Sequence, residues 1–211
     1  MNQPNHFLAF LEGLSYVSTF LLLIVATIGL RQLKISKDES RLNARRDASR
    51  VANEQIKHYS EKIIPLINDF DTLIRDNNIK IFKQSSFKIV ENGVKIKIDP
   101  KGVGKEFTII ANDFTKVNNA FEGFASYFIS GLADEQVAFK AVGATYCHTV
   151  KDYLPLLVAV GGNTHYQNLI DLFLMWNTRL DKQALASKKE DIERQLKKMD
   201  GKEILPIGAA D

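Results

Sequence analysis

The sequence predicts a mainly α-helical fold: one N-terminal transmembrane helix, a long amphipathic stalk helix, a small β-hairpin and a C-terminal helical bundle. Three observations predict it. Residues 13–30, GLSYVSTFLLLIVATIGL, carry no charge; residues 31–76 hold no Gly and a single Pro; and residues 112–211 repeat apolar side chains at three- and four-residue spacing between breaks at Gly and Pro. The implied organisation is an anchor at 1–30, a basic stalk at 31–76, a hairpin region at 77–111 and a cytoplasmic helical domain at 112–211.

A helix rises ~1.5 Å per residue, so the first run covers most of a ~30 Å hydrocarbon core. Ser15, Ser18 and Thr27 are tolerable inside it, because helical hydroxyls bond back to the preceding turn. No Lys or Arg precedes the run, and it ends in Gly29-Leu30-Arg31. That pattern suits a retained anchor better than a cleaved signal peptide, which needs a basic start and a small-residue cleavage site. Arg31, Lys34, Lys37, Arg41, Arg45 and Arg46 follow, with Arg50 beyond them and only Asp38, Glu39 and Asp47 interspersed. Such a bias marks the cytoplasmic side and places those basic residues against anionic headgroups. The expected location is the cell inner membrane, single-pass, with the N-terminus outside, the C-terminal domain cytoplasmic and the lipid bilayer as first partner.

In the stalk, Ile35, Leu42, Ser49, Ile56, Ile63 and Phe70 recur every seven residues, and Ala52, Tyr59, Leu66 and Leu73 form a second row three places on. These are a and d positions, convincingly apolar only from Ala52 to Leu73. A coiled-coil homodimer is one reading. Packing of the same face onto later helices of the same chain is the other, and is preferred because the heptads are few. Pro65 should kink the helix or start a fresh one.

Phe87-Lys88-Ile89-Val90, Glu91-Asn92-Gly93 and Val94-Lys95-Ile96-Lys97-Ile98 read as a hairpin around an Asn-Gly turn. Lys88, Lys95 and Lys97 form a candidate partner surface on its polar face, or else protect a strand edge. Phe107–Ile110 suits either a third strand or the start of the next helix. Asp113 is placed to cap a helix from about Phe114 to Ser130, with Val117, Phe121, Phe124 and Phe128 on one face and Gly131 as its stop. Asp134 caps the next helix, expected to end near Pro155. A last helix begins near His165 and buries Leu169, Leu172, Phe173, Trp176 and Leu180.

No catalytic constellation is present. Cys147 and His148 are adjacent and so point about 100° apart on a helix; Cys147 is the sole cysteine, which excludes an intramolecular disulfide and a cysteine metal cluster. The histidines lack zinc spacing. Gly102-Val103-Gly104-Lys105-Glu106 resembles the end of a phosphate loop, but Glu106 replaces the magnesium-binding hydroxyl. The net charge of +3 gives no case for nucleic acid. No cofactor or metal is expected. Glu122, Asp134, Glu135 and His148, around the Gly131 turn, are the polar residues that a pocket would use.

Two runs, AFEGFASYF at 120–128 and SGLADEQVAF at 130–139, together with Cys147-His148 and Trp176-Asn177-x-Arg179-Leu180, carry a resemblance. Over most of its length the chain resembles a family of uncharacterised bacterial single-pass membrane proteins with a cytoplasmic helical domain of unknown function. The resemblance implies a bacterial inner membrane and carries over no catalytic residue. The functional expectation is a membrane-anchored interaction or regulatory module, self-associating or binding an unidentified cytoplasmic protein. The alternatives are a membrane-associated enzyme or ligand sensor, and an oligomeric membrane effector in bacterial stress or phage defence.

Overall fold

The computed structural model describes residues 6–82, 86–90, 93–97, 100–161 and 164–199; the side chains described exclude 6–13, 15–17, 19, 86–90, 93–97, 100–103 and 199. The chain divides into two compact units, Met1–Ser49 and Arg50–Asp211. Helix α1, His6–His58, runs through the division without a break.

In the first unit the described apolar side chains are exposed: Phe20, Leu21, Leu22, Leu23, Ile24 and Val25, then Ile28, Leu30, Leu33, Ile35 and Leu42. Thr27 Oγ1 donates back to the Leu23 carbonyl at 2.8 Å, which satisfies its hydroxyl within the helix. Among the described residues, no helix is long and apolar enough to cross a membrane. That finding overturns the single-pass inner-membrane location and the transmembrane anchor at 1–30. Helix α1 passes from its apolar residues into the basic ones with no boundary at Leu30.

The second unit begins with the last turns of α1. One turn of π-helix, Tyr59–Ile63, then leads into α2, Ile64–Asp76. Pro65 explains the join: it sits in the first turn of α2, where a missing N–H costs least, and the wider turn accommodates its ring. The heptad face from Ala52 packs within the chain, with Ala52, Tyr59 and Ile63 fully buried and Phe70 nearly so. Ile35 and Leu42, earlier in the same row, stay exposed.

Strands β1, Ser86–Val90, and β2, Gly93–Lys97, pair antiparallel, Val90 opposite Gly93 at the turn end and Ser86 opposite Lys97 at the open end. Their backbones run beside α4.

Helix α3 spans Pro100–Ile129, starting well before the expected Phe114. Pro100 supplies a helical φ at the first position, and Phe107–Ile110 joins the helix because Ile110 is buried in the core. Asp113 is therefore an interior residue paired with Lys116 at 2.8 Å, and the cap expected of it does not form. Glu106, also within α3, accepts from the backbone N–H of Lys80 and of Ile81 at 2.9 and 2.8 Å, fastening the segment after α2.

Gly131 ends the α3 turn at φ +74°, a conformation that costs a Cβ-bearing residue. Asp134 then caps α4, Glu135–Ala159, accepting from the N–H of Gln136 and Val137. The helix continues through Pro155, against the expectation that it would end there. Leu154, Leu156 and Leu157 are at most 1% exposed, and their burial outweighs the lost backbone bond. Helix α5 spans Gln167–Met199; its residues 181–198 are exposed.

The core is aromatic. Trp176 lies against Phe124, Phe128, Phe139 and Tyr146, with ring centroids 5.1–6.3 Å apart. Phe70, Phe82, Phe114 and Tyr153 form a second group around α2.

Candidate functional site

The acidic residues around the Gly131 turn are taken up by the fold. Glu122 Oε1 accepts from Asn168 Nδ2 at 2.6 Å and Asn168 N at 3.3 Å, and its Oε2 from Leu169 N at 2.8 Å. A carboxylate from α3 thus satisfies the orphan N–H groups at the start of α5 and suits the positive end of its dipole. Asp134 is the α4 cap. Glu135 receives both terminal nitrogens of Arg179, at 2.8 and 3.0 Å, and the Trp176 indole N–H. The same guanidinium lies 4.4 Å from the centroid of the Phe139 ring. His148 is exposed on α4 and bonded to none of the three. The four residues do not converge, and their chemistry is that of helix ends and an ion pair.

Cys147 is buried, and burial with the Asp181 charge pushes its thiol up to about 12. A protonated, enclosed thiol is a poor nucleophile. Tyr59, on the π-turn, is fully buried, and its hydroxyl has no hydrogen-bond partner of acceptable geometry. Burial raises its pKa far above the usual phenol range, Cys147 nearby adds to this, and Thr149 offsets it only in part. Among the described residues no group of three or more His, Cys, Asp or Glu could hold a metal ion.

Arg31, Lys34, Lys37, Arg41, Arg45 and Arg46 are exposed along α1. Lys88 pairs in register with Lys95, and Lys97 with Ser86; their side chains lie outside the described ones.

A groove of about 340 Å³ runs between the last turns of α1 and the middle of α3, lined by Gln55, His58, Asn119, Ala120, Gly123, Phe124 and Tyr127. Gln55 and His58 are three apart; Asn119, Gly123 and Tyr127 are four apart; each set shares a helix face. Gly123 forms an opening in the wall, since a Cβ there would meet nothing within 4 Å. Sequence reasoning missed this groove. Its one local signal was a glycine inside a strongly amphipathic helix. No family model, curated protein or solved structure matches the chain.

Proposed function

We propose that the chain is a non-enzymatic interaction module that self-associates through the apolar reach of α1. The observation that carries this reading is the exposure of Phe20, Leu21, Leu22, Leu23, Ile24 and Val25, between 40 and 69% each. Successive positions turn through 100°, so these side chains cover every side of the helix. A helix that is apolar all round ends up enclosed, and a monomer offers it no enclosure. Each such side chain removed from water contributes ~1.5–3 kcal/mol. One partner covers one face, so several copies are needed to shield the whole circumference. The arginines and lysines after Leu30 repel between parallel copies, and salt screens that repulsion.

The test is sedimentation velocity on the purified full chain across micromolar concentrations, with and without added salt. Expected is concentration-dependent assembly beyond the dimer, strengthened by salt, and a monomeric Leu22→Glu/Val25→Glu variant with unchanged helical circular dichroism. A wild-type monomer throughout would overturn the proposal. So would assembly of the charged variant like wild type, or partition into lipid vesicles without self-association.

A further inference from the structure

We propose that the groove between α1 and α3 binds a small, uncharged, flat heteroaromatic molecule of nucleobase type. This goes beyond self-association and concerns the second unit only. The side chains of Gln55, His58, Asn119 and Tyr127 line the groove, and none is engaged in a hydrogen bond among the described residues. Each carboxamide offers a donor and an acceptor side by side, the arrangement that reads the edge of an adenine or a similar ring through two parallel bonds. Tyr127, 37% exposed, supplies a ring face at one wall for stacking, and Ala120 and Phe124 give an apolar floor. No Lys, Arg, Asp or Glu lines the groove, so an ionised ligand would lose water there without gaining a counter-charge. The volume lies near the lower end of the range that takes one small molecule.

Gly123 fits the same reading. Glycine inside a helix costs ~1 kcal/mol relative to alanine, and here no packed neighbour demands it. The space that the missing Cβ leaves is open, and it lets a ring lie against the α3 backbone. His58 lines the groove where α1 passes into the π-turn, a distortion found often at functional sites.

The experiment is titration of the full chain with adenosine and, separately, uridine, followed by saturation-transfer NMR and calorimetry. Expected is saturable binding of at least one probe, weakened tenfold or more in Asn119→Ala and in Gln55→Ala. Gly123→Leu should abolish binding while its thermal midpoint stays at or above wild type, because its side chain enters open space. Absence of binding of both probes at millimolar concentration overturns the proposal, as does binding unchanged in Gly123→Leu. Neither outcome depends on the oligomeric state, so failure here and failure of self-association are read separately.

Discussion

At the scale of single residues, a half-buried carboxylate and a buried hydroxyl have opposite accounts. Glu135 has a partner for each of its oxygens, whereas the Tyr59 hydroxyl has none of acceptable geometry. Tyr59→Phe keeps the ring contacts to Phe121 and Phe124 and removes a group that burial has stripped of water. Urea unfolding should show stability unchanged or raised by up to ~1 kcal/mol; a loss beyond ~1 kcal/mol would mean that the hydroxyl is bonded in solution. Glu135→Ala leaves the Trp176 N–H and the Arg179 guanidinium without their acceptor. The pair is 20–35% exposed, which screens part of the charge, so a loss of about 2 kcal/mol is expected. Glu190→Ala, by contrast, removes an exposed partner of Arg194 and should change stability by less than ~0.5 kcal/mol. Equal losses in the two variants would refute the assignment of Glu135 as a tie between α4 and α5.

At the scale of elements, Gly123 in α3 and Gly143 in α4 make a matched pair. A Cβ on Gly143 would lie 2.6 Å from Phe139 Cδ2, and Phe139 is the ring beneath Arg179 and beside Trp176. Gly143→Ala should therefore lower the thermal midpoint despite the better helix propensity of alanine. Gly123→Ala meets open space and should raise it by the propensity gain, ~1 kcal/mol, or a few degrees for a chain of this size. Differential scanning calorimetry that moved both midpoints the same way would contradict the packing described here. What could be read from sequence at this scale was what local rules decide. The Gly131 stop, the Asp134 cap and the apolar stripe of Val117, Phe121, Phe124 and Phe128 each depend on neighbours within a few positions. The α4 helix running through Pro155 could not be read that way, because burial of Leu154, Leu156 and Leu157 overrides the proline. Nor could the roles of Glu122 and Glu135: a carboxylate near a turn looks the same in sequence whether it caps a distant helix or serves a pocket. The groove was hidden for a related reason, since its two polar faces come from helices that meet only on folding.

At the scale of the whole molecule, the buried acids set an alkaline limit. Cys147, Tyr59, Tyr146 and Tyr153 all have pKa values raised by burial, with the Asp71 carboxylate adding to the rise at Tyr153. Each group is neutral when protonated, so the folded state holds its proton to higher pH than the unfolded chain does. The stability tied to each is fully present below the unfolded pKa, near 9.0 for the thiol and 10.0 for the phenols, and is lost as pH rises above it. Between about pH 9 and 12 the Cys147 thiol alone contributes a slope of about −1.4 kcal/mol per pH unit, and the tyrosines join above about pH 10. The thermal midpoint of the second unit should be flat from pH 7 to about 9 and fall with growing steepness beyond. Cys147→Ser should delay the onset of the fall by removing the first group to ionise, although it lowers stability at neutral pH by placing a hydroxyl in an apolar site. Circular dichroism melts at half-unit pH steps would check both effects. A midpoint that held constant to pH 11 would show that the four groups are reached by solvent in the native state, and the aromatic core as described would be too closed.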